Sequence, residues 1–452
     1  MSKQADVALT LDKFRVCIVA PYYLPICMDE GNDGYKGSER VIEYMVNELV
    51  RRGAYVYLIA PEGSIKPGKG ELLTTGEPLW DPMDPSKREV KDEKRISARE
   101  RTRDQIKAVA RKDLKPHIID CHFAEDDFEV MRTIDATGIF WCITYHGPIV
   151  TRIEDGLEAP LAVRVAKAFP HVNFILVGKN QLEAYERLKI DTSLMHVVPN
   201  GIPDLSKNKL DRLRALNRED TSKQSKDTSE RSKDTPERNT LVMLCRLSVK
   251  KDIPKALDLI QELSGWKIVV GGTKLNDQND VQYWKEILSP LFKKYSDRIT
   301  LQEDVNERNK NEFLSKYGPL LAFTKRTDDE WGPPFWEPDG LHITEKLRLG
   351  QVALCDEGIH YEKIPEPLRS KYHFTQKDPK EVVKAMAKLL NDEKSVAEMN
   401  SDTTYALCRD YFKEVYDVKK TVERRFKKYM KIINKDNIGK AAEKAADKTV
   451  EA

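Results

Sequence analysis

Short apolar runs alternate along the chain with longer segments whose apolar positions recur every three or four residues. The first run, residues 14–20 (Phe-Arg-Val-Cys-Ile-Val-Ala), is almost continuously apolar, as suits a strand buried on both faces of a parallel sheet. A loop rich in Tyr, Pro, Gly and Asp follows. Apolar residues at Val41, Ile42, Met45, Leu49 and Val50 then predict an amphipathic helix. Ser38 reads as its N-cap, and Gly53, after Arg51 and Arg52, as its stop. Residues 56–60 form the next strand, so the strand–helix–strand order predicts a parallel α/β unit. Further strands are expected at 118–123, 140–145, 174–177 and 196–198.

Residues 206–239 interrupt this pattern. The near-repeat Lys-Asp-Thr-Ser-Glu-Arg-Ser-Lys-Asp-Thr-Pro-Glu-Arg has no apolar side chain, cannot bury a face, and predicts a flexible surface insertion at a domain boundary. Strand-like runs resume at 240–245, 267–271, 299–302, 320–324 and 351–355, and the last helices are expected over about 379–430. The organisation predicted is an α/β chain of two Rossmann-like domains, 1–205 and 240–400, facing each other across a central cleft. Helices at 401–436 are expected to pack back on the first domain. A tail from 437 to 452, rich in Ala, Lys and Glu, is read as a frayed helix or as disorder.

A length of 452 residues fits roughly two or three domains, in keeping with this layout. The net charge of +2 gives no global field that would favour nucleic acid. No apolar run reaches the roughly 18 residues of a membrane span. The start, Met-Ser-Lys-Gln-Ala-Asp, lacks the apolar core of a secretory signal. Seven scattered cysteines, none in a Cys-x-x-Cys pair, suggest reduced thiols and a cytoplasmic protein. Basic residues within 81–115 offer a weak peripheral contact with acidic lipid, although the interleaved acids favour a solvated face.

Candidate chemistry falls at the ends of the predicted strands, where ligands of α/β sheets bind. Glu337 and Glu345 stand eight positions apart around Gly340-Leu341. That spacing suggests a loop carrying one carboxylate that opens a helix, with the second about two turns in. Backbone N–H groups near Gly340 would meet a diphosphate at the helix start, and the glutamates would meet ribose or sugar hydroxyls. In a chain this charged, such a pair is also compatible with a solvated helix face. The glycines of Gly34-Tyr-Lys36-Gly37-Ser38 fit a phosphate loop or an ordinary turn. The pattern Gly-x-Gly-x-x-Gly is absent, which argues against a dinucleotide oxidoreductase. His146-Gly147-Pro148 follows a strand and fits a sugar contact or a structural histidine. Arg246, Lys250 and Lys251 would neutralise a diphosphate leaving group, or form a surface cluster. No Asp-x-Asp presents itself for a metal-bound nucleotide-sugar, so leaving-group stabilisation without a metal is expected. Trp331, Phe335 and Trp336 suit stacking on a sugar or base as well as loop packing.

Taken in order, these pieces resemble the retaining glycosyltransferases of the two-Rossmann-domain (GT-B) type, family 4, the glycogen-synthase-like group. The matching segments are Gly37-Ser-Glu39-Arg40, Thr144-Tyr-His146-Gly147, Val198-Pro-Asn200-Gly201-Ile202, Arg246 with Lys251, Gly271-Gly272, and Glu337 to Glu345 around Gly340-Leu341. The resemblance implies transfer of a sugar, with retention, from a UDP- or GDP-sugar to a glycan, lipid-linked or small-molecule acceptor held by the first domain. It implies a catalytic set of Glu337, His146, Arg246 and Lys251. It places Arg246, Lys251, Gly340, Leu341, Gly37 and Lys36 at the donor phosphates, and Glu345 at the ribose. Three features depart from the family pattern: Lys36 in place of a glycine before Gly37, Lys346-Leu-Arg after Glu345, and bulky Phe335-Trp336. They leave open a catalytically inactive nucleotide- or glycan-binding protein; a nucleotide-sugar epimerase of similar fold is a separate alternative.

Overall fold

The computed structural model describes residues 9–26, 37–80, 92–122, 128–147, 161–218, 239–272, 278–303, 305–324, 340–376 and 378–450. Thirteen strands lie within them. They are β1 (Arg15–Val19), β2 (Tyr55–Ala60), β3 (Gly70–Thr74), β4 (Ile118–Cys121), β5 (Phe140–Tyr145), β6 (Asn173–Leu176) and β7 (Met195–Val197), then β8 (Thr240–Leu244), β9 (Lys267–Gly271), β10 (Ile299–Gln302), β11 (Leu320–Ala322), β12 (Ala353–Asp356) and β13 (His373–Phe374). The first seven form one sheet in the order β3-β2-β1-β4-β5-β6-β7, and the last six a second in the order β10-β9-β8-β11-β12-β13. Strand pairing is parallel throughout the described residues. In each sheet the order reverses beside its first strand, between β1 and β4 and between β8 and β11. Such a reversal leaves a crevice outside the strand C-terminal ends.

The central strands follow the apolar runs because both faces are covered by helices. Val16, Cys17, Ile18 and Val19 are all buried, as are Leu241, Val242 and Met243. Two strands escape the sequence pattern. β3 is only half-buried at one edge of the first sheet, and β13 is two residues long at the edge of the second. The helix Gly37–Arg51 opens two residues earlier than expected, so Ser38 lies inside it rather than capping it. The Ser38 hydroxyl donates to Glu39 (3.1 Å). Gly53 ends the helix with φ +93°, donating its N–H to Val50 O (2.9 Å). The first part of the expected flexible insertion is instead helical. Residues Lys207–Arg218 form a helix that buries Leu210 and Leu213, and 219–238 lie outside the described residues. The charged segment before β4 becomes the helix Asp92–Ala110, buried only along Ala98, Thr102, Ile106 and Val109.

The final helix, Val418–Val450, returns to the first sheet. Val418, Val422, Tyr429, Ile432 and Ile433 share a core with Val16, Ile18 and Val56. The chain thus passes between the sheets twice, and the two passages touch. Ile202 N–H donates to Tyr416 O (2.9 Å), and Val418 N–H to Ile202 O (3.1 Å). A Cβ on Gly201 would lie 2.5 Å from Thr421 Oγ1 and 2.7 Å from Val418 Cα. Only glycine lets the two passages come this close. Gly201→Ala is therefore expected to destabilise the protein by about 1–3 kcal/mol, as overpacking does. The urea unfolding midpoint measures this, and an unchanged midpoint would mean that the passages are not tightly packed.

Candidate active site

Four contacts between the sheets decide which edges face each other. Arg40, in the helix that follows β1, bonds Glu307 and lies 3.2 Å from Glu345. Glu307 follows β10, and Glu345 sits in the helix Leu341–Arg348, which follows β11. Lys179 and Glu183, in the helix Lys179–Arg187 after β6, pair with Glu362 (3.0 Å) and His360 (3.3 Å), which follow β12. Every partner belongs to a segment leaving the C-terminal end of a strand. The C-terminal edges of the two parallel sheets therefore oppose one another, where ligands of such sheets bind.

Glu345 is the hub of the first contact. It is 2% exposed and accepts from Lys310 Nζ (2.5 Å), while Arg348 donates to Asn311 Oδ1 (2.6 Å) and Pro203 O (2.9 Å) beside it. Burial opposes its ionisation, but Lys310, Arg40 and Arg348 outweigh that penalty and hold the carboxyl at about 2. Burial also draws the Lys310 ammonium below its ordinary value. Glu345 stands just over one turn into its helix, because the helix opens only at Leu341, rather than the two turns that the spacing suggested. Its neighbour Lys346 points into the core, where Nζ donates to Leu314 O (2.6 Å) and Tyr317 O (3.1 Å). Burial among neutral acceptors holds Lys346 well below the usual lysine range, so this departure from the family pattern is a packing feature.

The second sheet supplies tight turns at its strand ends. Arg246 is exposed just past β8, and Val249–Lys251 forms a single tight turn, closed by Lys251 N–H to Ser248 O (3.1 Å). A Cβ on Gly272 would stand 2.0 Å from Cys245 O, so glycine is required where the ends of β8 and β9 converge. Gly340 is buried with φ +40° and opens the Glu345 helix, with Leu341 half-buried as its first residue. Behind these turns Asp356, at the end of β12, accepts from Lys255 (3.0 Å), Thr324 N–H (3.0 Å) and Gly358 N–H (3.1 Å). That carboxylate ties together the loops leaving β11 and β12.

The first sheet supplies a row of polar side chains. His146, just past β5, places Nε2 2.9 Å from Nδ1 of His122, just past β4. Asp120, near the end of β4, lies behind His122, with Oδ2 3.4 Å from His122 Nε2. Asp120 accepts from Thr144 Oγ1 (2.6 Å) and from two residues of the final helix, Arg425 (2.6 Å) and Tyr429. Burial opposes its charge, but His122 and Arg425 hold the carboxyl far below the usual range. On the other side, Asn200 Nδ2 lies 3.5 Å from His146 Nδ1. Gln181 fixes the following turn by donating to Tyr145 O (3.1 Å) and Gly147 O (2.7 Å).

Residues 35–204 match the family model Glycosyltransferase Family 4. Among solved structures, sucrose-phosphate synthase from Thermosynechococcus elongatus is similar with a TM-score of 0.64 at 14% identity, over 93% of this chain and 99% of that one. The catalytic domain of starch synthase IV from Arabidopsis thaliana, solved with ADP and acarbose, gives 0.57 at 14% identity over 93% and 99%. Anabaena HepE, solved with UDP-glucose, gives 0.56 at 12% identity over 91% and 99%. No curated protein matches the chain at a significant level. The chain has the GT-B fold, and its residues 35–204 are similar to Glycosyltransferase Family 4.

In this GT-B protein, the sequence-identified residues fall on both sides of the cleft. Gly37, exposed, opens the helix that carries Arg40, and Arg40 reaches Glu345. The first-domain loop-and-helix motif and the Gly340–Glu345 motif are thereby brought together. Lys36, Glu337, Trp331, Phe335 and Trp336 lie outside the described residues. Sequence reasoning did not single out Asp120, His122, Lys310, Arg425 or Tyr429. The pair Asp120 and His122, polar at the end of an apolar strand, was a usable signal; Arg425 and Tyr429, some three hundred positions away, left none. Among the described residues no helix is long and apolar enough to cross a membrane.

The Glu345 cluster has a testable consequence. Its folded carboxyl sits at about 2 against 4.5 for a free glutamate, so its stabilisation is complete above about 4.5 and is lost as pH falls toward 2. Glu345→Gln is expected to cost about 3–5 kcal/mol near neutrality, because Lys310 and Arg40 lose a buried partner. It should also weaken the fall in stability between pH 4.5 and 2. Urea unfolding followed across that range checks both, and a wild-type pH slope in the variant would contradict the network.

Proposed function

We propose that the protein is a retaining, metal-independent glycosyltransferase that moves a sugar from a nucleoside-diphosphate sugar to an acceptor bound against the first domain. The observation that carries this reading is the opposition of the two C-terminal edges. The Arg246–Lys251 turn, Gly272 and the helix opened by Gly340 stand on one side, with His146 on the other. HepE has been solved with UDP-glucose and starch synthase IV with ADP, which favours a nucleotide-sugar donor here.

In this reading Arg246 and Lys251 neutralise the diphosphate as the glycosidic bond breaks. The N–H groups at the start of the Leu341–Arg348 helix add the positive end of its dipole. Cationic side chains thereby take the part that a metal ion takes elsewhere. Lys36 and Gly37 lie beside the phosphates. Glu337 lies next to the transferred sugar and His146 contacts it. Glu345 takes the ribose hydroxyls in place of Arg40 and keeps Lys310 as its partner. Closure of the cleft excludes water from the oxocarbenium-like centre.

The occupation of Glu345 by Lys310 and Arg40 supports a second reading, a GT-B protein that binds nucleotide without turnover. One experiment separates the two. The protein is incubated with UDP-, ADP- and GDP-sugars, and released nucleoside diphosphate is measured beside Lys251→Ala and Glu337→Ala. Release from one donor, cut by about 100-fold or more in both variants, is the expected outcome. Folded, monodisperse protein that binds nucleotide in a calorimeter but releases nothing would replace the proposal with the binding reading. Release of nucleotide with an altered sugar and no acceptor would replace it with the epimerase reading.

A further inference from the structure

We propose that the row running from the C-terminal helix to His146 sets the tautomer of that histidine, which makes Asp120 and His122 positioning residues for the donor-sugar contact. The inference rests on the proposed role of His146, but its geometry stands apart from that role. Asp120 is fully buried and its charge is matched by Arg425 (2.6 Å), with Thr144 and Tyr429 as further donors. Asp120 faces His122 Nε2 at 3.4 Å without forming an aligned hydrogen bond, but an ionised carboxylate repels a bare nitrogen lone pair, so Nε2 is the nitrogen that carries the proton.

Burial draws His122 below its ordinary value and His146 further still, which favours neutral rings, and among the described residues the carboxylate that faces them, Asp120, already has a guanidinium partner. A neutral ring protonated at Nε2 presents a lone pair at Nδ1. His122 Nδ1 therefore accepts, and His146 Nε2–H donates to it across 2.9 Å. The two ring planes lie within 27° of each other with centroids 5.1 Å apart, an edge-to-edge setting that fixes the plane of His146 as well as its proton. His146 Nδ1 is left as an acceptor, met by the Asn200 amide only at 3.5 Å. A donor-sugar hydroxyl would then give its hydrogen to Nδ1 rather than receive one.

The arrangement also assigns a task to the final helix. Arg425 and Tyr429 both donate to Asp120, and so hold the carboxylate on which the proton order depends. The C-terminal passage back to the first domain is in this sense part of the site.

The test uses the full chain labelled with nitrogen-15 at histidine, read by long-range proton–nitrogen correlation. His146 is identified by the signals lost in His146→Gln. The expected spectrum shows His146 neutral, protonated at Nε2 and bare at Nδ1; protonation at Nδ1 would overturn the proposal. His122→Leu should abolish that preference, while His122→Gln, whose amide oxygen can accept, should keep it. Turnover of the active donor should fall by about 10- to 100-fold in His122→Leu, mostly in kcat, and recover in His122→Gln. Equal loss in both variants with an unchanged tautomer would overturn the positioning role. Should His122→Leu fail to fold, Asp120→Asn serves in its place, and an unmoved His146 proton there would count against the proposal. The expected tautomer without turnover on any donor would refute the glycosyltransferase reading and leave the proton assignment intact.

Discussion

Charge that leaves water must be met by other protein charge, and that constraint governs how the two halves of this molecule sit together. The buried ionic groups join segments far apart in the chain. Arg40 meets Glu307 and Glu345 across the cleft, Arg409 meets Asp204 (2.8 Å), and Arg425 meets Asp120 across the last passage. Desolvation makes such pairs modest sources of net stability, but losing one partner strands the other in a medium that cannot solvate it. Their value lies in specifying an arrangement. An apolar contact tolerates sliding, whereas a buried carboxylate with two or three donors holds one geometry.

The site follows from where those pairs fall. Parallel strands leave their loops at one edge, and the ion pairs bring the two such edges face to face. Backbone N–H groups at a helix start, a glycine where two strand ends converge, and cations on a tight turn then lie on one wall. On the other wall stands His146, set against His122 in a turn fixed by Gln181. Neither wall depends on a flexible side chain alone: Asp356 anchors the loops of one, and Asp120 the row behind the other.

Much of the fold was legible because buried parallel strands are nearly pure apolar runs. The strands at 140–145, 267–271 and 299–302 coincide with β5, β9 and β10, and the other expected strands differ from the observed ones by a few residues at their ends. β3 and β13 were not legible, since an edge strand buries little and the second spans only two residues. The helix Lys207–Arg218 was hidden by its charge, with Leu210 and Leu213 as the buried apolar positions among its described side chains. In the site, Gly340, Glu345, His146 and Arg246 announced themselves by residue type at strand ends. Lys310 and Arg425 did not, because a lysine or arginine in a chain with 76 of them looks like any solvated cation.

The sequence by itself determined two parallel α/β sheets, the order of their strands along the chain, and the loops on which polar and glycine residues cluster. Hydrophobic periodicity and turn chemistry are local properties, and those features depend on nothing else. The tertiary structure decided which carboxylate meets which cation. It showed that Lys346 fills the core, that Glu345 is held by Arg40 from the opposite domain, and that the last helix completes the surroundings of His146. Such pairings join residues up to about three hundred positions apart. Their energies come from a shared burial that exists only once the chain has folded.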